Sequence, residues 1–241
     1  MMDKTYQQAL AYYGIAGAHP GGHSLTKKML KREHITKDTT VLDAGCGVGL
    51  TSSYVAKRFG AQVTGIDLLP EMVEKARERV TSQQLPVTVM QASLESLPFT
   101  DESFDLILAE SVLTFTSAEK SLKELHRVLK KNGVILTIEM SGEDSLSPYE
   151  RRKIQSVYGI SNIYSEQQWA QLFKKTGFHS LQVLLRRTAL EEMLSGEGAI
   201  SDTPSMTAGS HPVYDQVMAA HQQLLGFYGD RLGYRVFRSL K

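Results

Sequence analysis

The sequence predicts an α/β fold, one mostly parallel sheet with helices packed on both faces. Three observations predict it. Along residues 39–140 the apolar spacing alternates between a period of 2 and a period near 3.6, as strands and helices take turns. The run Val41-Leu42-Asp43-Ala44 leads straight into three glycines at alternate positions, Gly45, Gly47 and Gly49, and then into a helical segment. A second apolar run, 62–66, ends in Asp67, about 20 residues beyond the turn, the separation of a strand–helix–strand unit built around a ligand. At 241 residues, 41% hydrophobic and 22% charged, the chain fits one domain with one large core.

The elements follow in order. Residues 3–13 are helix-like, and Gly17 to Thr26 is a turn-rich stretch leading into a helix. Strands are predicted near 39–44, 61–67, 86–91, 104–109 and 133–140. Helical spacing marks Thr51–Phe59, Pro70–Val80 with Pro70 in its first turn, and Ser117–Leu129 with Ser117 as N-cap. Ser165–Thr176 reads as a helix closed by Gly177. Phe178–Arg187 and Leu232–Ser239 then read as a final pair of strands. Their separation far exceeds a hairpin loop, so 188–231 is predicted to be an insertion. Its stretch from Ser195 to Pro212 is rich in Gly, Ser, Thr and Pro and reads as a loop, and Val213–Tyr228 reads as a helix. The whole is a single domain, 1–241, with an N-terminal helical cap (1–37), a ligand-binding core (38–140) and a C-terminal half (141–241) carrying the insertion.

The glycine turn constrains the ligand. Without Cβ atoms at Gly45 and Gly47 a ligand can lie against main-chain N–H groups at a helix start, and an acid at Asp67 suits ribose hydroxyls. The spacing is G-x-G-x-G, with Leu50 where a dinucleotide fingerprint carries its last glycine. Asp43, just before the turn, would repel a pyrophosphate and suits a ligand bearing an amino group and a sulfonium.

At these residues the chain resembles the class I S-adenosylmethionine-dependent methyltransferases, whose first motif reads D-x-G-x-G-x-G and whose second ends in an acid. Val87 to Ser93 resembles the third strand and its adenine-contacting turn, and Ser103 to Glu110 the fourth strand and the motif at its tip. Arg127-Val128-Leu129-Lys130-Lys131-Asn132-Gly133 resembles the R-V-L-K-P-G-G turn before strand five. Two departures stand out: Ser93 replaces a common Asp, and Lys131-Asn132 replaces Pro-Gly, where Asn also tolerates a left-handed turn. The lead-in His19-Pro20-Gly21-Gly22 followed by Thr26, and Glu110 to Phe115, resemble a small-molecule, type 11-like group within that family.

The resemblance implies a seven-stranded Rossmann-like sheet with an antiparallel last strand and S-adenosylmethionine as cofactor. It places Asp43, Gly45, Gly47, Gly49, Asp67, Leu68, Ala92, Ser93, Leu94 and Glu110 around that cofactor. The acceptor would be a small amine, phenol, quinol or thiol, methylated by in-line displacement. Tyr12, Tyr13 and His23 are candidate substrate contacts and His19 a candidate catalytic group, because N-terminal helices in such folds cover the carboxyl ends of the strands. Glu110 and Glu139 close strands four and five on that same rim, so Glu110 could hold an amine or steer the cofactor, and Glu139 could serve as a base. Structural readings stand beside these: tyrosine pairs also suit packing, histidines beside Pro-Gly-Gly suit turns, and strand-end acids also bond loop backbone. The insertion 188–231 is expected to act as a lid or to be a surface excursion.

The composition excludes other classes. A net charge of +1, without a basic run interleaved with aromatics, argues against nucleic acid. No apolar run approaches the ~18 residues of a membrane span and no signal-peptide core is read, so a cytoplasmic protein, monomer or homodimer, is expected. The single cysteine, Cys46, permits no intrachain disulfide and reads as a packing choice, His126 reads as surface, and no metal is expected. A noncatalytic S-adenosylmethionine- or S-adenosylhomocysteine-binding module is the alternative function.

Overall fold

The computed structural model describes residues 5–15, 17–196 and 209–241. Among them are strands β1 (Thr40–Ala44), β2 (Gln62–Asp67), β3 (Val87–Gln91), β4 (Phe104–Glu110), β5 (Leu129–Gly142), β6 (His179–Thr188) and β7 (Leu232–Leu240). They form one sheet ordered β3-β2-β1-β4-β5-β7-β6. Neighbours from β3 through β5 are parallel, while β7 runs antiparallel to both β5 and β6. The helices are α1 (Tyr6–Tyr13), α2 (Gly22–Leu30), α3 (Leu50–Phe59), α4 (Pro70–Ser82), α5 (Ala118–Val128), α6 (Pro148–Tyr158), α7 (Glu166–Lys175), α8 (Ala189–Ser195) and α9 (Pro212–Tyr228).

Both faces of the sheet are buried, which is why its central strands are continuously apolar. Leu42, Ile107, Ile135 and Phe237 point to one side and pack with Leu122 and Leu125 of α5 and Trp169 and Phe173 of α7. Their neighbours Val41, Leu106, Leu108, Leu136 and Val236 point to the other and meet Met29 and Leu30 of α2 and Val55 and Ala56 of α3. Each fully buried Leu contributes about 1.5–3 kcal/mol, so the two layers hold the sheet from both sides. A third apolar cluster joins α1, α6 and α9 through Tyr6, Ile154, Tyr158, Leu224 and Tyr228, with Phe115 and Met140 packed against it. This cap sits where β4 and β5 end.

Several boundaries differ from the sequence reading, for local reasons. Leu129 already pairs with Phe104 and Val134 with Leu106, so β5 begins before its turn, and the chain bulges between them. Asn132 there takes φ +62°, the left-handed turn expected of it. At Gly133 a Cβ would lie 2.7 Å from Leu129 Cδ1. Two helices escaped the sequence reading although both carry readable caps: Ser147 with Glu150 before α6, and Thr188 with Glu191 before α8. At Ser117 the side chain makes no cap bond. His126 is half-buried rather than surface, its ring edge-on to Phe178 at 5.1 Å, and burial lowers its pKa. Residues 3 and 4 of the first predicted helix, and 197–208 of the predicted loop, lie outside the described residues.

Candidate active site

The glycine turn is a strained crossing that only glycines make cheaply. Gly45, Gly47 and Gly49 have φ of +81°, +53° and +76°, values that cost an L side chain roughly 1–2 kcal/mol each. Their roles differ. A Cβ on Gly45 would meet Val112 Cγ2 at 2.6 Å, and one on Gly49 would meet Ala76 Cβ at 3.0 Å, so these two let neighbouring chain approach. A Cβ on Gly47 would meet nothing within 4 Å; Gly47 borders open space, and Gly49 leads into the first turn of α3. The turn is tied to β2 by Gly45 and Cys46, whose N–H groups both donate to the Ile66 carbonyl at 2.8 Å. Cys46 Sγ is buried among Val73 and Ala76 of α4, and burial pushes its thiol pKa up, out of reach of nucleophilic chemistry.

Asp67 clasps the turn. One oxygen accepts from Gly47 N–H at 2.9 Å and the other from Leu69 N–H at 3.0 Å, leaving a lone pair on each. Burial raises its pKa against the pull of those donors. Asp43 is fully buried below the turn, accepts from the Ser52 hydroxyl, and is pushed up to about 7 by burial and then by the charge of Glu110. Glu110 accepts from Thr26 Oγ1 at 2.6 Å and Thr51 Oγ1 at 2.7 Å, with His19 Nε2 3.7 Å from its carboxylate. Both ring nitrogens of His19 are engaged, Nδ1 with the Pro20 carbonyl at 3.1 Å and Nε2 with Thr26 Oγ1 at 3.2 Å.

These groups open on a cleft of about 530 Å3. Of the residues singled out in the sequence, the cleft gathers His19, Asp43, Gly45, Gly47, Asp67, Leu68, Ser93, Leu94 and Glu110. Gly49 stands behind the turn against α4, and Ala92 packs against the core. Glu139 does not reach the cleft wall as expected. It is fully buried, accepting from Leu113 N–H (3.1 Å), Thr114 N–H (3.0 Å) and the Thr114 hydroxyl (2.8 Å), so it pins the short 3-10 turn Leu113–Phe115 that follows β4. Burial pushes its pKa up to about 7 against those three donors. Tyr12 and Tyr13 also lie off the cleft. Tyr12 donates to the Gly209 carbonyl and Tyr13 to Asp215, fastening α1 to α9, with Tyr12 tilted on Tyr214. His23 packs edge-on against Tyr54 of α3 at 5.0 Å.

The far half of the cleft is lined by Tyr6, Phe115, Met140, Tyr158, Met218 and His221, among others. Here Tyr158 Oη and His221 Nδ1 are hydrogen-bonded at 2.8 Å. Tyr6 lies tilted against the His221 ring at 4.9 Å and edge-on to Tyr158 at 5.2 Å. Burial lowers His221 to about 4 and raises Tyr6 to about 12. Neither Tyr158 nor His221 was singled out from sequence, because they sit on helices 63 positions apart that only the fold brings together.

A family profile described as a methyltransferase domain matches residues 42–137. The chain is 34% identical over 236 residues to an uncharacterized methyltransferase, YodH, of Bacillus subtilis (strain 168), covering 98% of this chain and 99% of that one. It is 30% identical over 207 residues to an uncharacterized protein of Haemophilus influenzae, covering 83% and 81%. Among solved structures, it is similar to phosphoethanolamine N-methyltransferase 2 of Haemonchus contortus in complex with phosphomonomethylethanolamine and S-adenosylhomocysteine. The TM-score is 0.76 at 25% identity, over all of this chain and 58% of that one.

Proposed function

The chain belongs to the class I S-adenosylmethionine-dependent methyltransferases, and from that premise we propose that its cleft joins a cofactor half at the glycine turn to an acceptor half under the cap of α1, α6 and α9. S-adenosylmethionine supplies an activated methyl group on a positively charged sulfur, and the acceptor is a small molecule. The residues present fit this cofactor. Gly47 borders open space that a side chain would enter. Asp67 keeps a lone pair on each oxygen for ribose hydroxyls, and Leu68, Ser93 and Leu94 line the adjoining wall. Ser93 Oγ already accepts from Glu95 N–H at 3.2 Å, so any further bond it makes carries no charge assistance. Glu110 sets negative charge beside the turn, and Asp43, raised to about 7, ionises more readily once a cation lies against it, matching an amino group and a sulfonium.

The clasp of Asp67 on Gly47, opening on the same cleft as Glu110, carries this reading. Glu110 is fixed by Thr26 and Thr51 and steers charge rather than moving protons, while His19 closes that network. Glu139 is a positioning residue: it holds the turn whose Thr114 and Phe115 face the cleft. Tyr12 and Tyr13 serve the site through α1, keeping Tyr6 against the acceptor half, and His23 seats α2. Acceptor and methyl group are brought together out of water, which is most of what transfer from an activated sulfonium requires. Calorimetric titration with S-adenosylmethionine, then detection of S-adenosylhomocysteine formed with a small-molecule extract, tests the reading. A folded protein that binds neither compound would overturn it.

A further inference from the structure

Charge and polarity differ between the two halves of the cleft. No Lys or Arg stands among the described residues that line it, while the acids Asp43, Asp67, Glu95, Glu110 and Glu192 do. An anionic acceptor would leave water for an acceptor half whose described lining offers it no Lys or Arg, an unfavourable exchange. The walls of the acceptor half are aromatic rings and thioethers, Tyr6, Phe115, Met140 and Met218, which suit an unsaturated apolar body. Into this surface the fold sets the Tyr158–His221 pair. His221 Nδ1 is taken by Tyr158 Oη, and Nε2 makes no hydrogen bond to any described residue. The titratable groups facing the imidazole are Tyr6 on α1 and Tyr158 on α6, and burial alone depresses its basicity.

We propose that the acceptor is an uncharged, apolar molecule of the phenol class, and that its hydroxyl docks on His221 Nε2, which takes its proton during transfer. The proposal rests on the reading of the cleft as a methyl-transfer site and names the acceptor for it. In the working tautomer Nδ1–H donates to Tyr158 Oη, so Tyr158 is a positioning residue and Nε2 carries the lone pair. A lone pair of the phenol oxygen forms the O–CH3 bond, the S–CH3 bond breaks with its electrons left on sulfur, and the phenol proton passes to Nε2 and then to solvent. The products are a methyl ether, S-adenosylhomocysteine and one proton. A weakly basic imidazole suffices, because the oxygen becomes a strongly acidic oxonium as the new bond forms. Proton transfer can therefore follow methyl transfer instead of preceding it.

The test is binding of 4-nitrocatechol, whose visible band reports the state of its hydroxyl, to the protein saturated with S-adenosylhomocysteine, in a buffer near pH ~5.5 where the acidic nitrophenol keeps its proton and His221, lowered to about 4, stays neutral. Saturable binding with a shifted band is expected. His221→Gln weakens it about tenfold or more, the loss of a hydrogen bond in a water-poor site. Tyr158→Phe, which keeps the packing, weakens it less but abolishes the band shift by freeing the tautomer, an effect packing alone would not produce. Phosphoethanolamine in large excess leaves the band unchanged. Equal affinity in wild type and His221→Gln, displacement by phosphoethanolamine, or no saturable binding overturns the proposal. Calorimetry with S-adenosylhomocysteine on the same proteins separates the two levels. If the nucleoside binds and the phenol does not, the acceptor assignment falls alone; if the nucleoside does not bind, the methyl-transfer reading falls beneath it.

Discussion

Glu139→Gln separates a scaffolding carboxylate from a proton acceptor, and the structure sets the size of the effect. The substitution keeps the volume and one acceptor oxygen, but turns an NH2 toward a backbone N–H that Glu139 now satisfies at 3.0–3.1 Å. One orphaned buried donor costs about 1–3 kcal/mol. Against this, the substitution removes a carboxylate whose pKa is raised from 4.5 to about 7 by burial, a charge penalty of about 3 kcal/mol at neutral pH. The sign follows from linkage. A folded pKa above the unfolded one means the native state holds the proton more tightly. The stability this gives is full below pH 4.5, is lost as pH rises toward 7, and is gone above it.

Wild type therefore loses stability through that window by a route closed to the Gln variant. Urea unfolding of both proteins at pH 5, 6, 7 and 8 should show the variant destabilised by about 1–3 kcal/mol at pH 5, with the deficit shrinking by about 2–3 kcal/mol by pH 8. Asp43 also titrates near 7, but it is present in both proteins and cancels in the difference. A deficit independent of pH would refute the argument. Turnover gives a second reading: loss of a true proton acceptor costs about 100-fold or more, whereas a positioning role leaves the variant within about tenfold of wild type at pH 8.

Asp67→Ala should weaken S-adenosylmethionine binding by about 1.5–3 kcal/mol, the worth of a hydrogen bond to a charged group, in calorimetric titration; an unchanged dissociation constant in a folded variant would remove Asp67 from the cofactor site. Gly47→Val should abolish that binding while costing only the backbone strain of about 1–2 kcal/mol, since its Cβ points into open space. Gly49→Val, pressed against Ala76, should instead melt markedly lower. Similar melting of the two variants would show that the glycines share one packing role. Thr26→Val, which removes a donor from Glu110 without touching Asp67, should lower turnover more than cofactor affinity; equal losses would place Glu110 at the cofactor alone.

The core was readable because its signals are local. Val41 and Leu42 announce opposite faces of one strand, and Gly45, Gly47 and Asp67 announce a turn and its clasp within about two dozen positions. The cap was not, although α6 begins with Ser147-Pro148-Tyr149-Glu150, a capping box with Pro in the first turn that could have been recognised. Glu139 illustrates a different limit. Its place on β5 was predictable, but whether such a side chain meets ligand or backbone depends on the path of the neighbouring loop after β4, here Leu113–Phe115. Tyr158 and His221 mark the outer limit, since neither helix carries any sign of the other and their meeting depends on how α6 and α9 cross above the sheet.

The place of β7 has a consequence for how the chain assembles in time. Among the described residues β6 pairs with no strand but β7, and 43 residues (189–231) lie between them along the chain. During synthesis, at about 5–20 residues per second, β6 is complete some seconds before its only partner exists. Meanwhile β5, already seated beside β4, presents a bare edge of matching polarity and must be kept from accepting β6 directly. Closing so long a loop late, into a slot between two strands, is a non-local pairing that costs loop entropy and leaves two strand edges open until it forms. Sequence changes at those positions of 189–231 that do not line the cleft, as Met218 and His221 do, can thus alter yield and lifetime while leaving the cleft wall intact.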